Sequence, residues 1–248
     1  MPGPDDGPAS SAPLRYDGSM CARFQFAPPE DWVEEFGLAE APVVPPRYNI
    51  APTQDVLAVR GALGRREARM LRWGLVPYWA DDPAVGNRLI NARAESVATR
   101  PAFRDAFRHR RCLVPAQGFY EWKKFGRARE PWLVRLQGGR TFALAGVWDR
   151  WTREEDALES CALVTTAANS LVAPIHGRMP VIIDASAYAA WLDPGASEDF
   201  LRSLLSPFPA GRMEAFPVSS RVNATDVDDA ELIRPVAPTP DPGQMRLF

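Results

Sequence analysis

Histidine is nearly missing from this sequence, which has 2 in 248 residues, and cysteine is scarce at 3. The cysteines are odd in number and far apart, at Cys21, Cys112 and Cys161. That pattern argues against a disulfide framework or a zinc site and for reduced thiols of the cytoplasm. No C-x-x-C or H-E-x-x-H occurs, no G-x-G-x-x-G opens a helix, and there is no phosphate-binding P-loop. No cofactor and no metal are therefore expected. Apolar runs all fall short of the ~18 residues that a membrane-spanning helix needs. The N-terminus carries early acids and lacks the apolar segment of a secretory signal. A formal net charge of −2 provides no global field toward nucleic acid, so any such binding must use a local patch.

Proline, by contrast, is abundant at 25 residues, concentrated near both ends and between Ala41 and Pro52. Residues 1–19 are rich in Pro, Gly, Ser and Asp and are expected to be a disordered extension or a mis-assigned start. The folded domain is expected over 20–236, followed by a flexible tail, 237–248. Within the domain, period-two runs predict strands in DVLAVRG, ARMLRWGLVP, RCLVPAQGFYEWKK, PWLVRLQGG, TFALAGVWDRW, SCALVTTAAN and MPVIID. Helical spacing appears in PEDWVEEFGL, RPAFRDAFRHR, SAYAAWLD and EDFLRSLLS. Strands outnumber helices without βαβ alternation. The expected class is α+β, with a curved, barrel-like, mainly antiparallel sheet and peripheral helices.

Few residues stand out chemically. His109 sits among arginines and reads as part of a solvated basic face. His176, in PIHGRMP, is either a satisfied structural histidine or, as it precedes a strand where sites cluster and neighbours Arg178 and Pro180, a site residue. Glu121, in GFYEWKK, lies among aromatics; alternation turns Tyr120 and Trp122 to the opposite face. Such an acid is either a surface residue or a carboxyl of raised pKa suited to proton transfer. In LINARAES, alternation aims Asn91, Arg93 and Glu95 to one side, although capping a turn is the commoner task for such an Asn. Arg93, Arg100, Arg104, Arg108, Arg110 and Arg111, with Trp73, Tyr78 and Trp79 upstream, suit phosphates and base faces of a single strand. A solvated helix beside core tryptophans explains the same pattern.

Several segments together resemble the SOS-response-associated peptidase (SRAP) family of abasic-site processing proteins. These are MCARF at 20–24, RYNIAPTQ at 47–54, RWGLVPYWA at 72–80, LINARAES at 89–96, RRCLVPAQGFYEWKK at 110–124, FALAGVWDRW at 142–151, LVTTAAN at 163–169, IHGRMPVII at 175–183 and RVNATDVDDAELIRPV at 221–236. They span almost the whole domain in order. The resemblance implies a sensor of abasic sites in single-stranded DNA, acting in the DNA-damage (SOS) response. Its nucleophile, an N-terminal cysteine freed of the initiator methionine, maps onto Cys21. The family's Asn, Glu and His map onto Asn91, Glu121 and His176, and its phosphate-binding arginines look like Arg23, Arg93 and Arg178. Pro52 and Trp79 fall where the family stacks against bases. Two positions depart from the family pattern: Ala22 replaces a usual Gly, and Gly177 a usual Asp.

An abasic sugar opens to an aldehyde, and a cysteine with a free amine offers both nucleophiles needed to close a thiazolidine ring on it. Nearby arginines are expected to favour the thiolate, and weak β-elimination (lyase) activity is an expected side reaction. Two alternatives remain at this stage: a cysteine-type autoprocessing peptidase, as the family's hydrolase classification implies, and a non-covalent single-strand binding module. The free amine requires that translation begin at Met20 or that residues 1–20 be removed. The terminal QMRLF, with Gln244, Leu247 and Phe248, is similar to peptides that dock on the replicative sliding clamp. The protein is expected to be monomeric and cytoplasmic, joining the nucleoid when bound to DNA.

Overall fold

The computed structural model describes residues 21–40, 42–61 and 65–238. In chain order the elements are β1 (Phe24–Phe26), α1 (Trp32–Glu35), β2 (Arg47–Ile50), β3 (Asp55–Arg60), β4 (Glu67–Trp73), β5 (Asn91–Arg93), α2 (Arg104–His109), β6 (Arg111–Ala116), β7 (Gly118–Phe125) and β8 (Ala128–Leu136). They continue with β9 (Phe142–Arg153), β10 (Asp156–Ala167), β11 (Arg178–Pro180), β12 (Ile182–Ile183), α3 (Tyr188–Leu192), α4 (Glu198–Ser203) and β13 (Met213–Pro217). The expected α+β class with a barrel-like sheet is what the chain adopts.

One sheet closes on itself. Its path β10-β4-β3-β6-β9 returns to the start because β9 also pairs with β10, from Arg153↔Asp156 to Gly146↔Leu163. Long alternating runs make this possible, because each strand of the closed path can turn one face inward and closure leaves no edge unpaired. The second sheet, ordered β13-β8-β7-β1-β2, is antiparallel. A single apolar core joins the two, with Phe24, Trp73, Phe103, Phe107, Leu113, Phe119 and Trp191 all sealed from solvent. Trp73 is therefore a core residue, stacked edge-on against Phe24, and not a nucleic-acid platform.

The run RCLVPAQGFYEWKK, read as one strand, is two. It breaks at Gln117, where the chain leaves the barrel and enters the second sheet; Gln117 N donates to the Gln25 carbonyl and its side chain accepts from Ala27 N. MPVIID divides in the same way, β11 pairing with β10 and β12 with β9. Helices appear in all four expected segments but are short. The strands β1, β2 and β13 were not singled out by periodicity, because three- to five-residue strands offer too few alternations. At the barrel rim Gly74 has φ +133°, and a Cβ there would lie 2.6 Å from the Gly86 carbonyl oxygen. Only glycine permits that close approach, which turns the chain back across the barrel toward β5.

Candidate functional site

The site forms where the two sheets meet. The β1–β7 register, Phe24↔Phe119, continues with Tyr120 N donating to the Arg23 carbonyl, which brings the start of β1 alongside Glu121. Cys21 and Glu121 are each 3% exposed, and the Cys21 thiol donates to Glu121 Oε1 at 2.7 Å. From the other sheet, β5 runs parallel to β10 with Asn91 opposite Leu163, and Asn91 Nδ2 donates to the Cys21 carbonyl at 2.9 Å. β11 flanks the end of β10, and His176 just before it places Nδ1 3.6 Å from Glu121 Oε2. The same ring nitrogen lies 3.1 and 3.2 Å from the carbonyl oxygen and amide nitrogen of Arg178, which fixes the ring's orientation. Residues scattered from 21 to 176 thus gather around Cys21 and Glu121.

Burial governs the electrostatics. The Glu121 carboxyl is pushed up to about 8, by desolvation first, against the weaker opposing effect of the thiol's hydrogen bond. The Cys21 thiol is raised well above its ordinary range by burial, then by the charge and hydrogen bond of Glu121; Arg178 opposes this least. The expected thiolate is therefore corrected: nearby guanidinium charge does not outweigh desolvation, and sulfur keeps its proton. The carboxyl too holds a proton over most of the neutral range. Asn91, 6% exposed, leaves its Oδ1 without a partner beside Cys21. A buried acceptor left unpaired costs on the order of 1–3 kcal/mol. Among the described residues no group of three or more His, Cys, Asp or Glu side chains is placed to hold a metal ion.

The arginines differ from one another. Arg23 Nη1 donates to Asn49 Oδ1 and to the Val222 carbonyl, while Arg178 makes a two-pronged pair with Glu95 at 2.7 and 3.0 Å and also donates to the Thr165 carbonyl. Arg93 ends β5 and is exposed. Glu95 is not on the strand with Asn91, as alternation implied, since β5 stops at Arg93 and Glu95 lies in the following turn. The basic run after it is largely neutralised. Arg104 pairs with Asp105, Arg108 with Glu198 and Arg110 with Asp149. Arg111 is buried and donates to the carbonyls of Trp191, Phe107, Arg108 and Asp193, tying α2 to α3. It is a structural clasp and no phosphate contact. Pro52 is half-buried on the turn leading into β3, next to Thr53 at φ +72°. Tyr78 and Trp79 are 54% and 48% exposed on the loop after β4.

Two residues were missed. Asn49 is fully buried and its Nδ2 donates to the carbonyls of Val222, Ala224 and Val227; Asp228 accepts from the backbone of Tyr48 and Asn49 and pairs with Arg47. Together they latch the 219–228 segment over β2 and hold Arg23. The signal available was a polar Asn inside an otherwise strand-like RYNI. A cleft of about 740 Å³ lies elsewhere, between α1 and β12, and contains none of these residues. The titratable side chains that meet one another, Cys21, Glu121 and His176, lie outside that cleft. Gln244, Leu247 and Phe248, like residues 1–20, lie outside the described residues.

Comparison with known proteins gives a consistent result. The family model described as SOS response associated peptidase (SRAP) matches residues 20–225. The abasic site processing protein YoqW of Bacillus subtilis (strain 168) is 39% identical over 223 residues, covering 86% of this chain and 99% of its own length. The abasic site processing protein YedK of Escherichia coli (strain K12) is 31% identical over 192 residues, covering 77% and 85%. An X-ray structure of a protein from Bacteroides thetaiotaomicron shares the fold at a TM-score of 0.79 and 24% identity, over 88% of this chain and all of that one. Another, from Bordetella bronchiseptica, has a TM-score of 0.70 at 25% identity, covering 80% of this chain and all of that one. The family model covers most of the residues that build this barrel and its second sheet, and the chain belongs to the SRAP family.

Proposed function

We propose that this protein processes abasic sites in single-stranded DNA by capturing the opened sugar covalently through the amine and thiol of Cys21. The observation that carries this reading is the contact of the Cys21 thiol with Glu121 Oε1 at 2.7 Å, within a buried site that also holds Asn91 and His176. The names of the relatives supply the substrate class.

The chemistry follows from those groups. A neutral α-amine adds to the aldehyde carbon to give a carbinolamine. An α-amine titrates at about 7.9, against about 10.4 for lysine, so a few hundredfold more of it is neutral at pH 7. Glu121, protonated because burial lifts it to about 8, gives its proton to the departing hydroxyl, which leaves as water. The resulting carboxylate takes the thiol proton as sulfur bonds to the iminium carbon, whose π pair returns to nitrogen. Aldehyde plus aminothiol thus becomes thiazolidine plus water, and Glu121 ends protonated as it began. His176, at the more open side of Glu121, assists sugar ring-opening. Asn91 fixes the Cys21 carbonyl and offers its unpaired Oδ1 to the sugar or the ring nitrogen. Phosphates are taken by Arg23, Arg93 and Arg178, and flanking bases rest on Pro52 and Trp79. A sugar without a base enters this closed site with no unstacking cost, which favours the lesion.

The reaction needs a free amine at Cys21 and hence no peptide bond between Met20 and Cys21 in the working protein. A second reading, scission of that bond, is favoured by the same pairing of thiol and carboxyl beside it. Incubation of protein beginning at Cys21 with abasic single-stranded DNA, followed by a denaturing gel, tests the proposal. A shifted band lost in Cys21→Ala is expected; binding without a covalent band leaves only a single-strand binding module. Cleavage of Met20–Cys21 in the full chain, dependent on Glu121, assigns peptidase chemistry to maturation.

A further inference from the structure

The loop that carries Tyr78 and Trp79 is gripped at alternate residues by one face of the β9–β10 ribbon. Asp149 and Ser160 are directly opposite in that ribbon, and Trp151 follows Asp149 on the same face. Ser160 Oγ accepts from Val76 N at 2.7 Å, Asp149 Oδ2 from Tyr78 N at 3.1 Å, and Trp151 Nε1 donates to the Ala80 carbonyl at 2.8 Å. Asp149 is 4% exposed and Ser160 fully buried. The other carboxylate oxygen of Asp149 accepts from Arg150 N at 2.8 Å and lies 3.2 Å from Arg110 Nε. The backbone of the loop is held inward at positions 76, 78 and 80, while the rings of Tyr78 and Trp79 remain half-exposed. Large aromatic side chains left exposed on a loop whose backbone is pinned so closely are pre-organised for a flat ligand, since little freedom remains to be lost on stacking.

We propose that Asp149 is a positioning residue for DNA engagement: through Tyr78 N it fixes the loop on which Trp79 meets the bases, with its own charge balanced by Arg110. This rests on the single-strand reading given above. Asp149 is 4% exposed and faces Tyr78 N, Arg150 N and Arg110, so its effect must pass through the aromatic loop.

The test is a double-mutant cycle on the full chain, reading anisotropy of a labelled, undamaged single-stranded oligonucleotide at fixed salt. Trp79→Ala is expected to weaken binding by roughly 5- to 150-fold, the range of one lost stacking contact. Asp149→Asn, which leaves Arg110 unbalanced and one N–H poorly served, is expected to weaken it by at least about threefold, and by less than about 1.5-fold once Trp79 is already Ala. If Asp149→Asn does not fold, Ser160→Ala, which releases only the grip on Val76, replaces it with a smaller loss and the same dependence on Trp79. Equal losses in both backgrounds reduce Asp149 to a general structural role and overturn the proposal. Loss on Trp79→Ala but none on Asp149→Asn overturns the proposal and leaves the DNA reading standing. No loss from Trp79→Ala overturns the stacking role and the proposal with it.

Discussion

Cys21 and Cys112 are both sealed from solvent, yet their surroundings differ by one carboxyl group. Cys112 sits in the barrel, its sulfur 2.6 Å from where a Cβ on Gly146 would be, and burial lifts its thiol to about 12 with only a weak opposing effect from Arg60. Cys161 is likewise buried and raised chiefly by desolvation. Among the described residues neither Cys112 nor Cys161 donates a hydrogen bond to an acid. Cys21 has Glu121, itself lifted to about 8, and beyond it His176. Burial raises all three thiols; of the three, Cys21 is the one that donates to a carboxyl, Glu121, whose own proton affinity burial has raised.

The largest effect expected from breaking this contrast is at the cysteines. Cys21→Ala should abolish covalent capture of abasic DNA, whereas Cys112→Ala should leave the rate within about twofold and cost about 1 kcal/mol or more of stability, read by denaturant unfolding. Removing the carboxyl comes next. Glu121→Gln should slow capture by about 10²- to 10⁴-fold, the usual weight of a general acid–base group. In the wild type the amine must be neutral and Glu121 protonated, so the rate should peak near pH 8 and fall on either side; the variant should lose the alkaline limb.

Stability offers a separate reading of the same residue. An acid raised from 4.5 to about 8 in the fold binds more protons folded than unfolded. Its ionisation therefore removes stability progressively as pH rises between those values. Thermal melts at pH 5 and pH 9 should show Glu121→Gln gaining on the wild type at the higher pH, at roughly 2–4 °C per kcal/mol. Asn91→Ala should have a smaller effect, slowing capture by about 10-fold or more while leaving undamaged single-strand affinity intact, since its partners are the Cys21 carbonyl and the incoming sugar. The least effect is expected at Gly177. Nothing lies within 4 Å of a Cβ built there, and no positive φ demands glycine. Gly177→Asp should stay within about 0.5 kcal/mol of the parent in stability. Ala22 is similarly mild, as Thr53 and Glu154 are the residues other than glycine with positive φ among those described.

Much of this was legible in the residues, but unevenly. Long alternating runs announced the barrel because a twelve-residue strand such as β9 repeats its period several times. The break at Gln117 was invisible, since both halves alternate and only the change of sheet separates them. The motifs singled out Cys21, Asn91, Glu121 and His176, which the fold brings together; the upward shift of the thiol was not legible, because it depends on desolvation by residues remote in the chain. Arg111 misled for the same reason: a guanidinium in a basic run looks solvent-facing until four carbonyls close around it.

The central claim is most directly tested by the intact mass of the adduct between protein beginning at Cys21 and an abasic single-stranded oligonucleotide. The account predicts protein plus DNA minus one water, formed without added reductant, and absent both from Cys21→Ala and from protein whose Met20–Cys21 bond is intact. An adduct of that mass forming equally well when the Cys21 nitrogen is still an amide would contradict it.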